Sequence, residues 1–156
     1  VTVSPNFSFP NVKFKANNIV SSYINDEKGF LTFEAEKWHK INISIDKDLN
    51  MIPGWHYHLT KKIKYYVTPE EGLRKFYIQL LTGDSVDNIP GLNKVGPKKA
   101  EKILEGLSDE KEYKDAVYQA YKNQFGDLSE AEVRERIQLI GRLLWIRRKE
   151  NELWEY

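Results

Sequence analysis

The chain has 156 residues, of which 40% are hydrophobic and 13% aromatic, so it can build a folded core and global disorder is excluded. It has no cysteine, which excludes disulfides and thiolate metal sites, and its net charge of +1 does not by itself indicate a nucleic-acid-binding protein. No apolar run approaches the ~20 residues of a membrane-spanning helix, and no signal-peptide pattern opens the chain. We therefore expect a soluble cytoplasmic protein with no membrane contact, and a monomer.

The first 68 residues favour an α/β domain. Residues 1–18 alternate apolar and polar positions but contain two prolines, which predicts an edge strand followed by irregular chain. The further predicted elements are short helices at 19–24 and 33–40, strands at 41–45 and 61–67, and a turn at Pro53–Gly54. A helix that leads into a strand with acids at its carboxyl end is typical of a parallel sheet, in which ligands bind beyond the strand ends.

Residues 69–156 are predicted to be helical. A helix begins at Pro69, with Thr68 as its N-cap, and ends at Gly83. Its apolar face is formed by residues at helical spacing, namely Leu73, Phe76, Tyr77, Leu80 and Leu81. The later helices are predicted at about 97–104, 109–125 and 129–148, with Ser129 and Glu132 as a capping box.

The stretch from Gly91 to Gly96 carries the strongest local signal of a binding site. Its two glycines, with prolines on their outer sides, predict a tight turn that joins two short helices and leaves room for close approach. Lys94, Lys98 and Lys99 lie in or just after this turn, and cations in the first turn of a helix oppose the helix dipole. A phosphate partner explains this placement better than helix stability does. A plain helical hairpin with solvated lysines is the alternative.

Two pairs of aspartates lie near this hairpin or at a strand end. Asp46 and Asp48 follow the strand 41–45, and alternate residues of an extended strand point the same way. Asp84 and Asp87 precede the hairpin and can share one face of a helical turn. Four converging carboxylates repel one another unless a hard cation such as magnesium lies between them. Either pair alone is as well explained by a surface turn or an Asx turn.

Together, SIDKDL (44–49) and GDSVDNIPGLNKVGPKKAEKIL (83–104) resemble the phage and bacterial 5′-nucleases, the flap endonuclease or 5′–3′ exonuclease family. The marks of that family are an Asp-Lys-Asp strand end, a Gly-Asp-x-x-Asp-Asn-Ile-x-Gly motif and a helix-three-turn-helix. The resemblance runs from about residue 33 to the end of the chain. It implies an incomplete, PIN-like α/β nuclease core in residues 1–68. It also implies a helical DNA-binding half in 69–156, with the helix-three-turn-helix at 83–104.

The resemblance also implies an activity and its ligands. The activity is magnesium- or manganese-dependent hydrolysis of a phosphodiester at a DNA 5′ end, overhang or flap junction, in the cytoplasm of a bacterial host if a phage encodes the chain. The implied catalytic metal ligands are Asp46, Asp48, Asp84 and Asp87. The implied DNA-binding residues are Gly91, Lys94, Gly96, Lys98 and Lys99, with a potassium ion at the helix-three-turn-helix.

The chain departs from this family at its amino-terminal side. Residues 1–18 contain no acid, whereas family members carry acidic motifs there, so the chain looks truncated or internally shortened. The stretch FKANN (14–18) has two readings. It corresponds either to a Tyr-Lys-Ala-Asn-Arg stretch of phage members, in which Lys15 faces the scissile phosphate, or to a place where an acidic motif belongs. Glu34 and Glu36 could replace the missing acids, but they read more simply as solvated helix positions.

Two rival interpretations therefore stay open beside an active nuclease. One is a catalytically incomplete module that binds duplex DNA, and the other is a helical scaffold that contacts other proteins. Weaker candidate groups are the histidines at 39, 56 and 58, which could suggest a metal site, and the aromatic residues Trp55, Tyr57, Tyr65 and Tyr66, which could stack on bases. We expect the histidines to be packed or exposed, and these aromatic residues to belong to the core and edge of the sheet.

Overall fold

The computed structural model describes residues 8–9, 12–13, 41–149 and 152–156. The chain divides into two compact units, Val1–Pro69 and Glu70–Tyr156. The described residues combine short strands with four α-helices, so the α/β composition is as predicted. No helix in this part of the chain is long and apolar enough to cross a membrane. The helices predicted at 19–24 and 33–40 lie outside the described residues, as do Lys15, Glu34, Glu36 and His39.

The first unit contains two small sheets. Strands β1 (Ser8–Phe9) and β2 (Val12–Lys13) pair antiparallel, where a single edge strand was predicted. The larger sheet has the order β3-β4-β5 and consists of β3 (Ile41–Ser44), β4 (Gly54–His58) and β5 (Ile63–Val67). Strands β3 and β4 are parallel and β4 and β5 antiparallel, so the sheet is mixed rather than purely parallel. The predicted strands at 41–45 and 61–67 are confirmed to within two residues.

A hydrogen-bonded cluster holds the chain after β3 against the larger sheet. Nε2 of His56, whose side chain is buried, lies 2.7 Å from the carbonyl oxygen of Ile52. The imidazole also stacks on the ring of Tyr65, with 5.3 Å between ring centroids. The Tyr65 hydroxyl donates to Oδ1 of Asn50 at 2.7 Å, within the 3₁₀ helix Asp48–Met51. His56 is therefore packed in the sheet, which is one of the two outcomes expected for the histidines.

Helices α1, α3 and α4 supply the core of the second unit. The four helices are α1 (Pro69–Thr82), which begins at the unit boundary, α2 (Pro97–Ile103), α3 (Glu110–Gln124) and α4 (Glu130–Leu144). Fully buried side chains of these three helices include Phe76, Tyr77, Leu80 and Leu81 of α1, Tyr113 and Val117 of α3, and Val133 and Ile137 of α4, and Ala100 of α2 and Leu104 are fully buried as well. The Tyr121 hydroxyl donates to the carbonyl oxygen of Leu80 at 2.8 Å and so ties α3 to α1. The predicted bounds and apolar face of α1 are confirmed, except that Leu73 is only half-buried.

Capping side chains start the two long helices. Ser129 and Glu132 form the predicted capping box of α4, and Asp109 and Glu112 form a second one at α3. Each box satisfies backbone N–H groups that have no partner within the helix. Local sequence therefore predicts where α3 and α4 begin.

The end of α4 differs from the prediction. The helix stops at Leu144 rather than at residue 148, because Trp145 leaves helical geometry and packs edge-on against Phe76, with ring centroids 5.0 Å apart. The chain then turns back, and Glu152 accepts a hydrogen bond from the backbone N–H of Arg148 at 2.6 Å. Trp154, also buried, lies directly against Gly141 of α4. Long-range aromatic packing overrides the helical pattern here.

Candidate functional site

The segment between α1 and α2 carries the predicted hairpin, but its first part is not helical. Strands β6 (Gly83–Asp84) and β7 (Ile89–Pro90) form a two-residue antiparallel ladder closed by a turn at 85–88. The prediction of a short helix before Gly91 is therefore wrong. So is the prediction that Asp84 and Asp87 share a helical turn, because Asp84 belongs to β6 and Asp87 to the turn. The second predicted helix is confirmed as α2, which starts at Pro97.

Gly91 is required by the crossing of the chain over itself. A Cβ atom built on Gly91 would overlap the backbone of Thr82 and Gly83, and one built on Gly83 would overlap the backbone of Gly91. Gly83 also has a φ of +69°, a conformation that side chains disfavour. The close approach predicted at Gly91 is thus made by the protein's own backbone.

Gly96 stands in a different environment. Its backbone is extended, with φ −91° and ψ 177°, a conformation open to any residue. A Cβ atom there would meet no atom within 4 Å. Lys94, Lys98 and Lys99 are exposed around it. Neither backbone strain nor internal packing requires a glycine at this position. Glycine is a favoured N-cap residue for α2, and the open space also leaves room for an external group.

Two residues that sequence reasoning missed hold this segment in place. Arg74 of α1 donates to the carbonyl oxygens of Leu104 at 2.7 Å and Glu101 at 3.2 Å, at the end of α2. Gln124 of α3 accepts from the backbone N–H of Asn93 at 2.7 Å. These partners lie 27 to 31 residues apart in the chain, so no local pattern could identify them.

Asp84 is an integral part of the turn. Its side chain is only 4% exposed. Oδ1 accepts from the backbone N–H of Val86 at 2.8 Å and, more weakly, from that of Asp87 at 3.4 Å, while Oδ2 accepts from Nε2 of Gln79 at 3.1 Å. This is the Asx-turn alternative considered from sequence. Asp87, by contrast, is exposed.

Asp46 and Asp48 do not continue β3 in extended form. The strand ends at Ser44, Lys47 has helical backbone angles, and Asp48 opens the 3₁₀ helix. Oδ1 of Asp46 instead accepts from the backbone N–H of Asp48 at 2.9 Å, which is a second Asx turn. The argument that the two side chains point the same way along a strand is therefore wrong, although both still follow the carboxyl end of a sheet strand.

Magnesium is the metal that the resemblance implies, and carboxylates are suitable ligands for it. Within the residues that the structure describes, no three histidine, aspartate or glutamate side chains are grouped so that they could hold a metal by themselves. Magnesium is commonly bound by one or two carboxylates, with water and substrate phosphates completing its shell, and each aspartate pair supplies that number. One pair belongs to each unit, so their convergence stays a prediction.

Two tyrosine hydroxyls in the core of the second unit have strongly raised pKa values. Burial raises the pKa of the Tyr77 hydroxyl, which donates to Oε1 of Glu110 at 3.2 Å. Burial likewise raises the pKa of the Tyr121 hydroxyl, which is bound to Leu80. Both hydroxyls therefore stay protonated and serve as structural donors rather than as catalytic groups.

Comparison with known proteins gives one distant relationship. No protein family model matches the chain, and no solved structure matches it. The chain is similar to DNA polymerase I of Rhizobium leguminosarum, with 31% identity over 108 residues. The match covers 62% of this chain and 10% of the polymerase, so the chain spans a small part of the length of this relative. The relationship links the chain distantly to a protein of DNA metabolism.

Proposed function

We propose that the chain binds DNA through the segment 94–99 and belongs to a metal-dependent 5′-nuclease that acts on DNA 5′ ends, overhangs or flap junctions. The observation that carries the proposal is the open space at Gly96, surrounded by exposed lysines on a segment held by Arg74 and Gln124. The motif at 83–104 and the similarity to a DNA polymerase I both support DNA as the partner.

The proposed contact is with the phosphate backbone rather than with base edges. Lysine is a flexible point charge that suits phosphate, and a glycine without internal contacts lets the DNA backbone approach the protein backbone closely. Lys94 lies in the turn, where its backbone has a positive φ of 58°, and its exposed side chain belongs to the same segment. A potassium ion bound by backbone carbonyls of this segment is part of the proposal. Such contacts hold DNA of any sequence.

The proposed metal ligands are Asp46, Asp48, Asp84 and Asp87, with magnesium or manganese as the ion. A bound divalent ion would supply an activated water and stabilise the charge on the phosphate. If the ion binds, it should raise the melting temperature by mass action. The rise should disappear in the Asp48→Asn/Asp87→Asn variant. Equal melting temperatures with metal and with chelator would argue against this ligand set.

The DNA contact is tested by replacing both Lys98 and Lys99 with alanine. We expect weaker binding to duplex DNA without sequence preference. The plot of log affinity against log salt should also become less steep, by about one unit of slope per lost phosphate contact. The matched control removes two exposed lysines of the same unit outside this segment, Lys111 and Lys149, and should change neither quantity. Unchanged affinity and slope in the Lys98/Lys99 variant would remove this segment from the DNA interface.

A catalytically incomplete DNA-binding module is the second candidate. The observation that favours it is that Asp84 already accepts hydrogen bonds from Gln79 of α1 and from the backbone of its own turn, together with the departure of Asp48 from the strand. A time course on a labelled 5′-flap duplex with manganese separates the two functions, and we expect binding with very slow cleavage. Turnover near the ~10 per second of a typical enzyme would support the active nuclease. Absence of DNA binding would leave the protein-scaffold interpretation.

A further inference from the structure

One face of the β4–β5 hairpin places aromatic rings beside a lysine. Trp55 is paired with Tyr66 across the two strands, and Tyr57 with Lys64, so these four side chains share a face. The rings of Trp55 and Tyr66 meet edge to face, with centroids 5.3 Å apart. Nζ of Lys64 lies 4.2 Å from the centroid of the Trp55 ring. Despite these contacts, Tyr66 remains 51% exposed.

The charged residues of the β4–β5 hairpin itself have a single sign. Residues 49–69 contain no aspartate or glutamate, in a chain with 23 acids among 156 residues. The same stretch contains Lys61, Lys62 and Lys64, all exposed. Lys62 sits in the connecting turn with a φ of +55°, and its backbone N–H donates to the carbonyl oxygen of His58 at 2.8 Å. The face therefore presents an aromatic surface flanked by positive charge, which complements a polyanion that has exposed rings.

From this arrangement we infer that the Trp55–Tyr66 face of the β4–β5 hairpin binds single-stranded DNA. Tyr66 stacks on an unpaired base, and Lys61, Lys62 and Lys64 contact the neighbouring phosphates. Base–aromatic stacking combined with a basic groove is the usual way in which proteins hold single strands without sequence preference. Duplex DNA cannot use this surface in the same way, because its bases are stacked inside the helix. Trp55 holds the Tyr66 ring from the side, so little side-chain freedom is lost on binding.

Protection of the sheet edge does not explain this face equally well. Within the described larger sheet β5 is an edge strand, and lysines on edge strands commonly prevent pairing with another chain. That role accounts for Lys64 of β5. It does not account for a half-exposed tyrosine beside that lysine, since an exposed aromatic side chain on an edge strand favours association. A ligand that uses both the ring and the charge explains both features.

The inference rests on the proposed function only in choosing DNA rather than RNA. It concerns a surface of the first unit, whereas the proposed duplex contact lies in the second. The two can therefore fail independently. A 5′ overhang or flap contains both duplex and single strand, so each of the two surfaces has its own matching part in such a substrate.

Fluorescence anisotropy tests the inference with a labelled oligothymidine of about 12 nucleotides and an abasic strand of equal length. We expect the oligothymidine to bind more tightly than the abasic strand, and Tyr66→Ala to weaken oligothymidine binding roughly tenfold while leaving the abasic strand unaffected. Tyr66→Phe keeps the ring and should bind as the wild type does. Lys64→Ala should weaken both strands.

The matched control is Ile63→Ala, which changes an exposed residue of β5 paired with His58 on the opposite face. It should leave binding of both strands unchanged. Circular dichroism checks that each variant is folded. If Tyr66→Ala is unstable, the comparison of oligothymidine with the abasic strand on the wild-type protein still tests the inference. Equal affinity of the wild type for oligothymidine and the abasic strand would overturn the inference. So would unchanged binding in folded Tyr66→Ala. Duplex binding measured in the Lys98→Ala/Lys99→Ala variant reports separately on the proposed function.

Discussion

Gly91 and Gly96 offer a matched pair of substitutions that separates folding from DNA binding. Alanine at either position adds the same single methyl group, but the surroundings differ. At Gly91 the methyl overlaps the backbone of Thr82 and Gly83, which cannot move aside as a flexible side chain can. At Gly96 it meets no atom within 4 Å, and the backbone conformation suits alanine. Gly91→Ala should therefore lose stability, whereas Gly96→Ala should stay folded and lose affinity for DNA.

The magnitudes follow from these surroundings. Overlap with a packed backbone costs about 3 kcal/mol or more, so Gly91→Ala should lower the melting temperature by roughly 10 °C or more. Gly96→Ala loses a favourable N-cap residue, at a cost of roughly 1 kcal/mol, but gains about 0.4–1 kcal/mol by reducing the freedom of the unfolded chain. Its stability should stay close to that of the wild type. If a phosphate contacts the backbone at this point, loss of a charge-assisted hydrogen bond should weaken duplex binding about tenfold or more.

Thermal unfolding by circular dichroism and duplex binding by anisotropy at fixed salt measure both effects. Wild-type affinity in Gly96→Ala would show that the open space at Gly96 is not a site of phosphate approach. Wild-type stability in Gly91→Ala would contradict the chain crossing on which the geometry of the segment depends. Gly96→Ser is a useful companion, because serine restores the N-cap preference while still adding a side chain.

Three further predictions concern the framework of the site and the second unit. Asp84→Ala removes the acceptor of three hydrogen bonds at a buried position and should lower the free energy of unfolding by about 3 kcal/mol. Asp84→Asn keeps an acceptor for the backbone N–H groups and should lower it less. Urea denaturation measures both changes. Gly141→Ala should destabilise the wild type by about 1–3 kcal/mol but stabilise the Trp154→Ala variant by up to ~1 kcal/mol, since only the first retains the ring that the methyl meets, and a double-mutant cycle tests this. Hydrogen bonds from Ser129 lower the pKa of Glu132 below its ordinary 4.5, so the stability they provide is complete above that pH and is lost as the pH falls through the lowered pKa. The difference in stability between wild type and Glu132→Gln should therefore narrow in that acid range.

Local signals predicted the helices of the second unit well. Pro69 and Gly83 bound α1 correctly, and Ser129 with Glu132 marked the start of α4, because capping depends on residues only three or four positions apart. The end of α4 could not be predicted in the same way. Trp145 leaves the helix to pack on Phe76, a residue 69 positions earlier in the chain, and no helical pattern encodes that contact.

The candidate site likewise has features that local sequence predicts and features that only the structure reveals. The sequence predicted that the lysines and the glycines of the segment act as a group, but it treated Gly91 and Gly96 as equivalent. Only three-dimensional contacts reveal that one glycine serves a chain crossing and the other faces open space. The anchoring by Arg74 and Gln124 was invisible for the same reason, since both bonds join distant parts of the chain.

What the four aspartates can do depends on how each carboxylate is already used. An ionised carboxylate has about four acceptor positions, and Asp84 already accepts three hydrogen bonds, two from backbone N–H groups of its own turn and one from Gln79 of α1. A cation at Asp84 therefore competes with the bonds that shape the segment, which links metal affinity to the stability of the turn. Asp46 and Asp87 are exposed, so a cation reaches them without displacing a buried hydrogen bond. If the proposed cation binds, its binding would be coupled to folding at Asp84 but separable from it at Asp87, and asparagine at these two positions would distinguish a ligand from a framework residue.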